Sequence, residues 1–362
     1  MTVPRVSIII PIFNVSTSVF EECFRSVSEQ TTAPFEVIVI DDGNAPSIAG
    51  DIEELCQHYD FQLLKNSNNL GVSRSRNLAL GHACGDYVCF IDADDCVYPD
   101  FLSEATRLVN ATNADCVIGM LQLTRPDVYL PVRDRQSDGY RTFDGSDVKY
   151  VQKGTLAGKD FMPVEVSRHR SFVHAGPCGR LYRKDIAEDT LFDPNIVVGE
   201  DILFNLAFLE RSDSCVIADR TWYQYKQHAL SVTNNLTRSG IVSHAHFCSR
   251  LMDIALTPGF DAKQEAYGRV LATLKVIIGK GVVRLPTSRR EKRKEIATLL
   301  ELDAFAQSLD NIDLEQFELS VKDRVFVTLC RRQKYGMLLD LFSTNNKLEV
   351  LRGTCQTKFG AV

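Results

Sequence analysis

No apolar run in the 362-residue sequence reaches the roughly 20 residues that cross a bilayer; the nearest, Val270–Val283, is broken by Lys275 and Lys280. The N-terminus has no basic segment followed by an apolar stretch, so a chain without a signal peptide, cytoplasmic in location, is expected. The eleven cysteines include no CxxC pair. Single, scattered cysteines exclude a small disulfide scaffold and fit reduced thiols that pack as small hydrophobes. No GxGxxG follows the first apolar run, which argues against a nicotinamide-dependent dehydrogenase. Repeats and low-complexity stretches are also missing. With 44% hydrophobic and 24% charged residues, the composition is that of an ordinary globular protein.

The net charge of −6 is unevenly spread. Residues 1–235 carry 21 basic and 33 acidic side chains, and residues 236–362 carry 20 and 14. An acidic front and a basic tail predict two regions, 1–235 and 236–362, with different partners.

The first 120 residues alternate strand and helix patterns. Val6–Ile10, Phe35–Ile40, Phe61–Leu64 and Tyr87–Ile91 read as buried strands, and Cys116–Met120 as a fifth. Helices are expected from Ser18, where Ser18 and Glu21 have capping-box spacing, and over Ile48–Tyr59, Gly71–Ala83 and Asp100–Asn110. Repeated βα units of this kind predict a mostly parallel sheet with helices on its faces. Residues 121–175 read as loops and short strands, Val197–Glu210 as a helix, Trp222–Tyr225 as a short strand, and the chain beyond 240 as mainly helical.

Ligands of open parallel sheets bind at the carboxyl ends of the strands. Three polar clusters fall there: Pro11–Asn14, Asp41–Gly43 and Asp92–Asp95. Asp92, Asp94 and Asp95 repel one another unless a cation or donors lie among them, and hard oxygen ligands suit Mg²⁺ or Mn²⁺. The same residues could simply form an acidic loop ahead of the Asp100 helix. Asp41 can accept from a base N–H or a ribose hydroxyl, although Asp-Gly is also a common turn. In Asn69–Asn77 a glycine opens a helix whose N-terminus attracts anions; Arg76 reads as a phosphate ligand and Arg74 as a surface residue.

Together these segments, with Gly199-Glu200-Asp201, resemble the family 2 glycosyltransferases over about residues 4–235. Two departures are Asn44, where the family usually has Ser, and the basic Ser73-Arg74-Ser75. The resemblance implies an α/β GT-A fold, the nucleotide-diphospho-sugar transferase fold. It implies transfer of a sugar from a nucleotide-sugar donor, most often a UDP-sugar, to an acceptor hydroxyl with inversion. By the same likeness Pro11, Phe13 and Asp41 hold the base, Asn69 and Arg76 belong to the nucleotide-binding set with Arg76 facing the diphosphate, and Asp92 contacts the ribose. Asp94 ligates a divalent metal, Mn²⁺ or Mg²⁺, with Asp95 as a supporting ligand, Asp201 is the base and Glu200 orients the site. His228 occupies a place where relatives carry a basic residue near the diphosphate, and the residues after His174 line the sugar pocket. Trp222 reads as a core residue before it reads as a sugar platform.

A cell-surface glycan or lipid-linked acceptor is expected, and no nucleic acid. The basic run over 284–294 is either a solvated helix face, a peripheral contact with anionic lipid, a contact for a polyanionic glycan, or an assembly surface. A sugar nucleotidyltransferase would need a glycine-rich basic loop after the first strand, and Pro11-Ile12-Phe13-Asn14 is not one. A nucleotide-binding module without turnover is the remaining alternative.

Overall fold

The structure is a computed structural model, and it describes residues 5–31, 35–124, 139–158, 160–169, 173–227 and 236–343. Two compact units are present: residues 1–155 with 171–228, and residues 156–170 with 229–362.

The strands in chain order are β1 (Val6–Ile12), β2 (Phe35–Asp41), β3 (Gln62–Lys65), β4 (Tyr87–Phe90), β5 (Cys96–Val97), β6 (Cys116–Thr124), β7 (Tyr140–Asp144), β8 (Met162–Pro163), β9 (Arg180–Arg183), β10 (Ser214–Lys226) and β11 (Phe317–Glu318). In the first unit nine of them form one sheet in the order β3-β2-β1-β4-β9-β6-β10-β5, with β7 also on β10. The first four are mutually parallel, β9 runs antiparallel between β4 and β6, and β6 and β10 are parallel. Side chains alternate across this sheet as the two-residue period demands. Ile8, Ile10, Val37 and Val39 pack on one face with Phe20, Phe24 and Ile52, while Ile9, Ile38, Val88 and Phe90 pack on the other with Leu80, Phe204 and Phe208. Both faces are buried, which is why these strands read as unbroken apolar runs.

The register decides what meets at the sheet's end. Ile12 lies opposite Asp41 on one side of β1, and Ile9 lies opposite Phe90 on the other. Phe13, Asp41 and Asp92 therefore leave three adjacent strands at one edge.

Four local features differ from expectation. The first helix is Thr17–Ser28, with Ser16 as N-cap and no side-chain cap, so the Ser18–Glu21 capping box does not form. β10 is thirteen residues long; its register shifts around Thr221 hide it from a periodicity reading. Residues 148–156, read as loop, form a helix that buries Val148 and Val151. Residues 156–170 belong to the second unit rather than to the run ending at 235, because β8 pairs with β11 and Arg269 Nε donates to the Leu156 carbonyl at 2.7 Å.

The second unit is mainly helical: Arg238–Ala255, Lys263–Val276, Arg289–Leu300, Asp303–Asn311 and Val321–Arg331. Among the described residues no helix is long and apolar enough to cross a membrane. In the basic run Arg289 bonds Asp340 and Lys292 Nζ bonds the Val283 carbonyl, while Arg290, Arg293 and Lys294 are exposed.

Candidate active site

The edge formed by β1 and β2 is held by carboxylates. Asp41 is buried, and its Oδ1 accepts from the Asn44 backbone N–H at 2.9 Å and from Asn44 Nδ2 at 2.7 Å. Asn44 Nδ2 also donates to the Ile12 carbonyl, and its Oδ1 accepts from the Asn14 N–H. Asn44 thus ties the ends of β1 and β2 together, which a shorter Ser could not do through four bonds. Asp42 faces the next loop: it accepts from Asn66 Nδ2, Asn69 Nδ2, Leu70 N and Gly71 N. The residue between that loop and Asp42 has to be glycine. Gly43 has φ +76°, and a Cβ there would lie 2.4–2.6 Å from the backbone of Asn68 and Asn69.

That loop begins the helix Val72–Leu80, which carries Arg76 inward. Arg76 is 3% exposed. Its Nη2 donates to Asp92 Oδ1 at 2.7 Å, Nη1 lies 3.7 Å from Glu200 Oε1, and the guanidinium sits over the Phe192 and Phe90 rings. Burial works against its charge, and Asp92 and Glu200 more than restore it, so Arg76 stays cationic. One buried cation therefore joins the turn after β4 to the start of the helix Glu200–Glu210. Glu200 is itself pushed up to about 7, chiefly by burial and then by Asp201 beside it, with Arg76 pulling the other way.

The three carboxylates after β4 are not equivalent. Asp92 is partly exposed and Asp94 half-buried, whereas Asp95 is buried. Asp95 accepts from Tyr223 Oη at 2.7 Å and from the Lys226 N–H at 2.8 Å. Tyr223 Oη in turn accepts from the Asp92 N–H. Burial and the neighbouring Asp92 and Asp94 raise the Asp95 pKa well above the ordinary carboxylate value, against the two donors. Asp95, expected as a supporting metal ligand, is turned into the protein as a brace for the turn.

The other expected residues lie as follows. Pro11 is half-buried in β1, and Phe13 is half exposed at its end. Asn69, expected among the nucleotide ligands, spends its amide on Asp42. Arg74 is exposed and bonds the Leu70 carbonyl. Asp201 sits in the first turn of its helix, with Oδ1 accepting from the Ile202 N–H at 2.8 Å. His228 lies outside the described residues. Trp222 is fully buried, and a Cβ at Gly119 would overlap its ring, so it is a core residue and not a sugar platform. Sequence reasoning missed two residues. Asp42 was visible as half of an acidic pair, but its role depends on Asn66 and Asn69; the tie from Tyr223 to the turn after β4 had no sequence signal.

Among the described residues no three His, Cys, Asp or Glu side chains converge as a preformed metal cage. Asp92 and Asp94 are instead two accessible hard-oxygen donors, the number Mg²⁺ or Mn²⁺ takes from a protein when substrate phosphates supply the rest.

The family model "Glycosyl transferase family 2" matches residues 7–191. The glycosyltransferase EpsJ of Bacillus subtilis is 25% identical over 94% of this chain and 96% of its own length. S. aureus TarS in complex with UDP-GlcNAc shares the fold at a TM-score of 0.62 and 16% identity, covering 95% of this chain and 92% of that one. The mannosyltransferase PcManGT of Pyrobaculum calidifontis, in complex with GDP-Man and Mn²⁺, matches at a TM-score of 0.51 and 15% identity, over 93% and 86% of the two chains. These findings agree with the parallel sheet and with the clusters at its edge: the chain is a glycosyltransferase and belongs to glycosyl transferase family 2.

Proposed function

We propose that this enzyme transfers a sugar from a UDP-sugar to a glycan or lipid-linked hydroxyl, with inversion at the anomeric carbon. The observation that carries the reading is Arg76. It bonds Asp92 and also approaches Glu200, so the end of the site suited to a diphosphate and the end suited to an acceptor form one constellation. The UDP-GlcNAc in TarS and the GDP-Man and Mn²⁺ in PcManGT support a nucleotide-sugar donor and a divalent cation.

In this reading the base lies at the edge of β1 and β2, against Pro11, Phe13 and Asp41. Asn69 shapes the loop beside it through Asp42. Asp92 would contact the ribose, and Asp94 would hold Mn²⁺ or Mg²⁺. When bound, that ion supplies Lewis-acid neutralisation of the departing diphosphate, an effect of several kcal/mol. Arg76 adds a fixed positive charge in a site where burial strengthens it. Asp201 accepts the proton of the acceptor hydroxyl as its oxygen attacks the anomeric carbon. The bond from that carbon to the phosphate oxygen breaks, and its electron pair leaves with UDP. Attack opposite the leaving group inverts the configuration.

Exposed Arg290, Arg293 and Lys294 suit an anionic lipid surface at about 1 kcal/mol each, which would hold the enzyme at the inner membrane face beside a lipid-linked acceptor. Co-sedimentation with phosphatidylglycerol vesicles tests this part; binding that survives Glu at all three positions overturns it.

The main test is product release. UDP should appear from at least one UDP-sugar in the presence of Mn²⁺, and Asp201→Asn should abolish transfer while still binding UDP. Pyrophosphate from UTP and a sugar 1-phosphate would instead identify a nucleotidyltransferase, and UDP binding without turnover on a broad acceptor set would identify a binding module.

A further inference from the structure

His174 stands out among the polar side chains near Asp201. Both ring nitrogens are buried, and apart from an approach to the Gly176 backbone neither has a well-formed hydrogen bond among the described residues. A neutral imidazole carries one donor and one acceptor, and burying them without well-formed partners is costly. Burial and the neighbouring Arg180 guanidinium hold the His174 pKa well below its ordinary value, against the Gly176 backbone, so the ring is neutral at pH 7.

The backbone around the ring is fixed with some care. Arg180, fully buried, donates from Nη2 to the His174 carbonyl and from Nη1 to Asn205 Oδ1. Asn205 Nδ2 donates to the Ala175 carbonyl, and Tyr182 Oη donates to Asn205 Oδ1. This network anchors 174–175 to the helix that begins with Glu200 and Asp201. None of it satisfies the imidazole itself.

Gly176 supplies the second observation. A Cβ built there would lie 3.8 Å from His174 Nδ1 and 3.8 Å from Asp201 Oδ2, with no other described atom within 4 Å outside its chain neighbours. The missing side chain leaves a space bordered by an imidazole nitrogen and by a carboxylate oxygen.

We infer that His174 binds a sugar hydroxyl in the space over Gly176, next to Asp201, and so selects the sugar that is transferred or the sugar that receives it. The inference rests on the placement of the sugar end of the reaction at Asp201. The shared chemistry is a hydroxyl, which can donate to one imidazole nitrogen or accept from it. Donor sugar and acceptor are separated by experiment.

Two variants test the inference. His174→Phe keeps a ring but removes both nitrogens. Gly176→Ala keeps His174 and puts a methyl group into the space at ordinary contact distance, at a backbone conformation open to any residue. The binding arm uses titration calorimetry with UDP, UDP-glucose, UDP-galactose and UDP-GlcNAc on the Asp201→Asn background, so that no turnover intrudes. The acceptor arm measures the KM of methyl glycosides on the active enzyme. Either variant should weaken a UDP-sugar relative to UDP, or raise the KM of a glycoside, by about threefold to tenfold, the worth of one neutral hydrogen bond. A change in the first arm assigns the hydroxyl to the donor, and a change in the second to the acceptor. UDP itself should bind as before. Unchanged affinity for every sugar in both variants, or an equal loss for UDP, overturns the inference.

The melting temperature gives a readout that needs no sugar and stands even if UDP is not the carrier. His174→Phe should raise Tm, because it removes two buried nitrogens that lack well-formed partners. A fall in Tm would mean that the imidazole is a structural group and would overturn the assignment.

Discussion

Arg76 donates to Asp92 across 2.7 Å from a side chain that is almost wholly buried, so a cation delivered by one βα unit pins the acidic turn of another. Removing one partner of such a pair leaves the other charge uncompensated. Because Asp92 is partly exposed, water recovers some of that loss. Arg76→Met should destabilise the fold by about 3 kcal/mol, the low end of the range for broken buried pairs. UDP affinity should fall in the same variant, since Asp92 and Glu200 would then face the diphosphate without a counter-charge. Denaturant midpoints and UDP titration check both parts; a variant as stable as wild type with intact UDP affinity would contradict the role given to Arg76.

Two glycines border the nucleotide edge and should respond differently to alanine. Gly43 and Gly71 both have positive φ, at +76° and +89°. At Gly71, with φ +89° and ψ 155°, no described atom lies within 4 Å of the added Cβ, so only the strain of a backbone region nearly confined to glycine remains, about 1–3 kcal/mol. At Gly43 the Cβ would strike the Asn68 and Asn69 backbone, and the whole Asp42-anchored loop must shift. Gly43→Ala should therefore cost more stability than Gly71→Ala and weaken UDP binding as well. Equal midpoints for the two variants would contradict this geometry.

The two carboxylates at the end of the acidic turn give a third contrast. Asp95 is fully engaged by Tyr223 and the Lys226 N–H, while Asp94 remains half-buried at the surface of the site. Asp95→Asn should lower Tm, because the amide can present only one oxygen to two donors, and should leave the Mn²⁺ concentration for half-maximal activity unchanged. Asp94→Asn should leave Tm close to wild type and raise that Mn²⁺ concentration at least tenfold or abolish turnover. Thermal melts and a Mn²⁺ activation curve distinguish these outcomes.

The contrast between Asp94 and Asp95 also marks where sequence reading stops. The apolar runs of β1, β2 and β4 were legible because both faces of a parallel sheet are buried, and their polar ends followed from the rule that ligands sit at carboxyl ends. Which carboxylate turns inward was not legible, since it is decided by Tyr223, 128 residues further on. Asp42 had the same difficulty: its partners Asn66, Asn69, Leu70 and Gly71 lie in a separate loop. The length of β10 was hidden because the bulge at Thr221 breaks the alternation, and the helix Val148–Leu156 because few apolar residues mark its face.

Glu200 gives a pH-dependent prediction with a definite sign. Its pKa is raised to about 7 in the folded protein, first by burial and then by Asp201, from an unfolded value near 4.5. Between these values the folded state holds a proton that the unfolded state has released, so stability declines as pH rises. The loss begins near pH 4.5 and is complete above about pH 7. Glu200→Gln carries no charge to desolvate and cannot titrate. Its Tm should follow a flatter course than wild type across that window, with the gap between the two proteins moving in favour of the variant as pH increases and staying constant above pH 8. Parallel Tm profiles for wild type and Glu200→Gln from pH 4.5 to 8 would mean that Glu200 titrates normally, and that Arg76 and solvent together compensate its burial.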